Sequence, residues 1–174
     1  MENLTKLDAA RRNLAEAIRL FFEERDAVAV HTLAAAAQNV LRDIARARGL
    51  EHTSILHDNP MIELTKRKAW AKAVNVPRNF FKHGENDPDG NLEFDSGENI
   101  LTILDAALIL TQLDQGLLHE ASVFLGWYTT AHPEFRDALS GDVIGDYCVR
   151  NKISADDMER FRRLLDTRML IEPI

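Results

Sequence analysis

The sequence predicts an all-α protein: an antiparallel helical bundle of about four or five helices, with a small helical appendage at its C-terminal end. Three observations carry that expectation. Apolar residues recur at three- and four-residue steps along most of the chain, as they do in helices that bury one face. No alternating apolar and polar run is long enough to build a sheet. Residues that start or stop helices, among them Asp26, Gly49, Pro77 and Gly84, fall at the ends of the apolar stretches.

Leu4, Leu7, Ala10, Leu14, Ile18 and Phe21 mark a first helix from Leu4 to Glu24. Asp26 is the N-cap expected for a second, whose stripe is Val30, Leu33, Ala34, Ala37, Leu41 and Ile44 and which ends before Gly49. Its alanines allow a close neighbour, and His31 near its start reads as a packed residue. From Leu50 to Pro60 the chain turns polar; His52, His57 and Asp58 stand close together without metal-ligand spacing, so a solvated loop is expected. A third helix should run from Met61 to Val74 with Trp70 as its anchor, and Pro77 should bend or restart it.

Beyond a polar turn, Ile100, Ile103, Leu104, Ala107, Leu108 and Thr111 mark a fourth helix capped by Asp95 or Ser96. It is apolar nearly all round, which places it at the centre. Leu117, Leu118, Ala121, Phe124, Leu125 and Tyr128 form a fifth that stops at His132-Pro133. Two short helices follow, Asp142 to Arg150 and Ala155 to Asp166, the latter behind a Ser154 cap with Asp157 three residues on. Asp156, Asp157 and Glu159 give that last helix the wrong charge for reading DNA, so residues 133–174 are expected as an appendage packed on a bundle of residues 4–132. The expected core is Leu14, Ile18, Phe21, Leu33, Ala37, Leu41, Phe81, Ile103, Leu104, Ala107, Phe124 and Leu125.

With 174 residues, 45% hydrophobic and 28% charged, the chain is large enough for one well-buried domain. Its first residues carry neither a basic segment nor an apolar run, and no stretch has the apolar length of a bilayer span, so a soluble cytoplasmic protein without membrane association is expected. Cys148 stands alone, which leaves no disulfide framework and no thiolate cluster for zinc. The net charge of −7 argues against broad, non-specific nucleic-acid binding.

Charge is nonetheless segregated. Lys66, Arg67, Lys68, Lys72, Arg78 and Lys82 occur between Leu64 and Gly84 with no acid among them; Glu85, Asp87, Asp89, Glu93, Asp95 and Glu98 follow with no base. Either the acidic loop folds back to neutralise the basic helix, or the basic helix is a phosphate-attracting patch with an acidic rim. The acidic stretch has the oxygen spacing of a calcium loop. Leu92 stands where such a loop needs glycine, and Pro88 takes its second position, so a polar turn is expected and no metal or cofactor.

Pro77-Arg-Asn-Phe-Phe-Lys-His-Gly84 lies between a helix-starting and a helix-stopping residue. At roughly 100° per residue, Arg78, Asn79, Lys82 and His83 share an arc of about 140°, and Phe80 and Phe81 serve as anchors on the other side. With the first two helices, Leu14-Ala-Glu-Ala-Ile-Arg-Leu-Phe-Phe and Leu33-Ala-Ala-Ala-Ala-Gln-Asn-Val-Leu, this Arg-Asn and four-residue-spaced His resembles the HEPN superfamily (higher eukaryotes and prokaryotes nucleotide-binding domains) over roughly residues 4 to 130. Arg25 with His31 and Arg46 with His52 satisfy the same spacing; Asn79, the phenylalanines and the surrounding cations single out Arg78 and His83.

The resemblance implies metal-independent RNA cleavage by transesterification, with Arg78, Asn79 and His83 as catalytic residues and Lys66, Lys72 and Lys82 as substrate-binding cations. His83 would move a proton, Arg78 would stabilise charge on the phosphoryl oxygens, and Asn79 would orient the phosphate or the histidine. It also implies a symmetric homodimer that assembles the site from two protomers. The alternative is a non-catalytic helical module that dimerises or binds a protein partner through an exposed apolar patch.

Overall fold

In the computed structural model residues 2–50, 54–85, 87–113, 118–139 and 142–167 are described, and all regular structure among them is helical. The helices are α1 (Lys6–Phe22), α2 (Ala27–Ala47), α3 (Arg67–Val74), α4 (Val76–Lys82), α5 (Glu98–Leu113), α6 (His119–Ala131), α7 (Val143–Arg150) and α8 (Met158–Asp166). None is long and apolar enough to cross a membrane among the described residues.

Local chemistry fixes where the long helices begin and end. Thr5 and Asp8 exchange hydrogen bonds at the start of α1, satisfying two amides that the helix leaves free. Asp26 caps α2 as expected, accepting from the Ala29 amide at 2.9 Å. At the end of α1 the Arg25 amide donates back to Leu20 and that of Glu24 to Phe21, with Glu24 left-handed at φ 55°. α2 closes in the same way through Leu50 and Gly49, where glycine takes φ 73° without steric cost. These tight ends turn α1 and α2 into a hairpin with an extensive mutual interface, and α2 packs in turn along α5.

The core lies among α1, α2, α5 and α6. Leu14, Ile18, Ala37, Leu41, Ile103, Leu104, Ala107, Phe124 and Leu125 are buried as expected, whereas Phe21, Leu33 and Phe81 are only partly so. In α1 the innermost ring is Phe22, not Phe21. α8 explains the difference, because Phe161 stacks on Phe22 at 5.6 Å and 15°, while Phe21 leans edge-on against Phe124 and Trp127. α5 is central, burying nine-tenths or more of residues on every side from Asn99 to Leu110, Ile100, Leu101 and Leu108 excepted.

Two expected helices and one expected anchor differ. The third helix is shorter, because residues 61–66 form turns: Met61 is 90% and Leu64 78% exposed, and without a core to pack on a short helix gains too little to form. Trp70 is no core anchor, being 43% exposed, though its indole N–H donates to the Leu56 carbonyl at 2.6 Å. α8 starts later than expected. Asp157 itself is its cap, accepting from the Arg160 amide at 3.1 Å, and the Ser154 hydroxyl serves the turn before it. Pro77 restarts the chain as α4, and α6 stops before Pro133; Leu117, expected at the head of that helix, lies outside the described residues.

The C-terminal helices pack on the bundle and bury Cys148, Ile153, Phe161 and Leu165 in the same core. Asp142 ties α7 to α6, accepting from Thr129 Oγ1 at 2.5 Å and from the Gly145 amide at 2.9 Å. The two helices approach so closely at Gly126 that an added Cβ would lie 2.4 Å from Ile144 Cγ2 and 2.9 Å from the Gly145 nitrogen. Gly126→Ala is therefore expected to destabilise the fold by about 1–3 kcal/mol, the cost of overpacking, measurable by chemical denaturation. An unchanged midpoint would mean that α7 can move away freely.

Candidate functional site

α4 is held on α2 by one of its two phenylalanines. Phe81 is half-buried and meets His31 and Phe94 edge-on at 5.6 and 5.1 Å, and Pro77 is buried in the first turn. His31 is itself buried, 3.0 Å from Asn99 Oδ1, and burial lowers its pKa. Phe80 departs from its expected role as an anchor: about 100° round the short helix from Phe81, it stays 39% exposed.

Arg78 turns toward α2. Its Nη1 donates to Asn39 Oδ1 at 2.5 Å, and Nε and Nη2 lie 3.4 and 3.3 Å from Asn79 Oδ1. Burial lowers the guanidinium pKa and Asp43 pulls it back, so the group stays a cation in a partly dry setting. Arg42 reaches the same Asn39 oxygen at 3.4 Å. Asn39 thus receives two guanidinium groups and sets the direction of Arg78.

His83 sits at the other end of α4, exposed, its amide donating to the Asn79 carbonyl at 3.0 Å. Its side chain lines a groove with Lys72, Val76, Asn79, Phe80 and Asp87. Arg78 lines a different and much smaller crevice, with Gln38, His57 and Asn75 among its walls. Within one chain, then, the two residues open onto separate surfaces, and Asn79 is the bridge between them. Of the expected substrate-binding cations, Lys72 lies in the His83 groove and Lys82 in the exposed last turn of α4; Lys66 is paired with Glu63 at 2.9 Å. Among the other spacings, Arg25 is exposed while His31 is buried, and His52 lies outside the described residues.

Among the described residues no ion pair joins Glu85, Asp87, Asp89, Glu93, Asp95 or Glu98 to any cation between Lys66 and Lys82. Asp95 instead accepts from the Gly97 amide at 2.8 Å and closes the turn into α5. Neither Lys72 nor Lys82 has an ion pair among the described residues.

Behind Arg78 lies a buried polar network that the sequence reading missed. Asp105, wholly buried in α5, accepts from Gln38 Nε2 at 2.7 Å, Ser54 Oγ at 2.8 Å and the Ile55 amide at 2.7 Å. Gln38 Nε2 also lies 3.2 Å from His57 Nδ1, and His57 Nε2 lies 3.4 Å from Asn75 Oδ1. The imidazole therefore accepts at Nδ1 and donates at Nε2. Burial first, then the nearby Arg42, lowers the His57 pKa to about 4. His57, read from sequence as part of a solvated loop, is a neutral tie between α2, the 54–58 turn and the start of α4. The available signal was Asn99 and Asp105, polar residues in a helix otherwise apolar enough for the centre, which must find partners when buried.

Set beside known proteins, the chain matches no protein-family model, no curated protein and no solved structure.

Proposed function

We propose that this chain is a HEPN-like, metal-independent endoribonuclease of the cytoplasm, acting on single-stranded RNA through Arg78, Asn79 and His83. The observation that supports it best is an exposed imidazole in a groove with an asparagine and a lysine that has no ion pair among the described residues, the asparagine in turn touching a pre-oriented arginine. In this reading the His83 imidazole takes the proton of a 2′-hydroxyl as that oxygen bonds to the adjacent phosphorus. The bond to the 5′-oxygen breaks, that oxygen takes a proton from water while the imidazolium returns its own to solvent, and a 2′,3′-cyclic phosphate remains. Arg78 stabilises the charge that builds on the phosphoryl oxygens, Asn79 orients the phosphate, and Lys72 and Lys82 draw the strand in. Because Arg78 and His83 open onto separate surfaces of one chain, the reading joins two copies about a twofold axis, the His83 groove of one facing the Arg78 side of the other.

The test is incubation of the purified protein with single-stranded RNA in excess chelator. Cleavage that leaves 2′,3′-cyclic ends is expected, and a strand of the same sequence lacking 2′-hydroxyls should stay whole. Cleavage of that deoxy strand would overturn the mechanism.

A second reading is a non-catalytic interaction module, favoured by the bare apolar side chains of Met61 and Leu64 and by an α3 that buries no residue. It expects RNA to stay intact and Leu64→Asp to change the mass of the particle in solution.

A further inference from the structure

We propose that Phe80 is a stacking platform for one unpaired nucleobase, and that the groove beside His83 therefore takes a single-stranded nucleotide and rejects a duplex. The inference rests on the ribonuclease reading for its ligand being RNA, and deepens it by naming what the groove holds.

Phe80 is available for such a role because it lies outside the buried core and keeps more than a third of its surface exposed. Its neighbour Phe81 makes the contacts that hold α4 down, to His31 and Phe94, whereas the ring contact of Phe80 among the described residues is the one with Phe81, edge-on at 5.9 Å and 79°. Phe80 is 39% exposed and forms the groove with Val76, Lys72, Asn79, His83 and Asp87. The groove is open and measures about 430 Å³, within the range in which proteins hold small organic groups.

Charge decides among occupants. An apolar peptide or a second copy's apolar face would leave the Lys72 ammonium and the His83 imidazole without partners in a closed interface, an unfavourable burial. A nucleotide offers something to each wall. Its phosphate suits Lys72 and the His83 and Asn79 side chains, its base suits the Phe80 ring and the Val76 methyls, and Asp87, which repels phosphate, accepts from the N–H groups of a base edge. Stacking needs a free base face, and a base inside a duplex has none. Selection for unpaired RNA follows from that alone.

The experiment measures binding apart from cutting. A labelled 2′-O-methyl RNA strand, which cannot be cleaved by its own hydroxyl, is titrated by fluorescence anisotropy as single strand and as duplex, against wild type, Phe80→Ala, Phe80→Tyr and His83→Ala. Wild type should prefer the single strand, Phe80→Ala should weaken it about tenfold or more, and Phe80→Tyr should restore it. The duplex should bind weakly and not respond to Phe80. Circular dichroism checks that the variants fold. Equal binding of strand and duplex, or single-strand affinity untouched by Phe80→Ala, would overturn the proposal. So would a Phe80→Ala protein whose only change is its mass in solution, since the ring would then belong to a protein interface. Phe80-dependent binding without cleavage of ordinary RNA would leave the platform standing and remove the nuclease. His83-dependent cleavage with no response to Phe80 would do the reverse.

Discussion

His83→Ala is expected to lower cleavage of single-stranded RNA by about a hundred- to ten-thousandfold, the range for loss of a general acid or base. The residue is exposed at the end of α4, so its removal leaves the packing of that helix on α2 unchanged, and the loss should appear without a fall in melting temperature. Arg78→Ala should also cut the rate steeply. Unlike His83, Arg78 is half-buried and bonded to Asn39, so some stability should go with it, and Arg78→Lys is the better probe. It keeps the charge but not the planar fork that bonds Asn39 and, in the ribonuclease proposal, a phosphate as well, so it should stay well below wild type. Lys72→Ala should weaken substrate binding, whereas Lys66→Ala, which removes a cation already paired with Glu63, should do little. Multiple-turnover assays on purified variants check the series. A His83→Ala protein that cuts at the wild-type rate would leave the interaction module as the reading to pursue.

How much of this was legible beforehand depends on distance along the chain. α1, α2, α5 and α6 carry their own periodicity, and Asp26, Gly49 and Pro133 mark their ends through short-range backbone chemistry, so these elements could be read locally. The choice between Phe21 and Phe22 could not. It is made by Phe161, which lies far along the chain in a helix whose partner the sequence does not reveal. Residues 61–66 carry apolar side chains that suggest a helix; what they lack is a surface to bury them on, a property of the folded neighbourhood.

The site shows the same division. Helix geometry places Arg78, Asn79 and Lys82 on one arc but does not set which part of it faces α2, and His83 lies past the last helical residue on extended backbone. Asn39 settles the facing from 39 positions away, accepting from Arg78 Nη1. Similarly, the tie from Gln38 to Asp105 spans 67 positions. A hydrogen bond of that reach leaves no periodic trace.

Asp105→Ala is expected to destabilise the protein by about 3 kcal/mol, because it strands several buried donors at once, each costing about 1–3 kcal/mol when left unpaired. For a chain of this size that corresponds to a fall in melting temperature of roughly 6–12 °C. Asp105→Asn should be milder but not silent. Gln38, Ser54 and the Ile55 amide all donate to the carboxylate, so one amide oxygen can serve only part of the set while the new NH₂ group meets other donors. The loss should spread to the candidate site, since Gln38 also holds His57, and His57 holds Asn75 at the start of α4. Hydrogen exchange in α4 should therefore quicken more than in α1. Acid should loosen the same tie. His57 takes up a proton near its ordinary 6.5 when unfolded and only at about 4 when folded, so protonation favours the unfolded chain between those values and stability falls as pH falls through them. Asp105 works in the other direction, its folded pKa being raised by burial, so its ionisation costs stability as pH rises through that raised value. His57→Gln isolates the first effect. Its melting temperature should decline less between pH 7 and pH 5 than that of wild type, and parallel declines would mean that His57 is not the group that acid reaches.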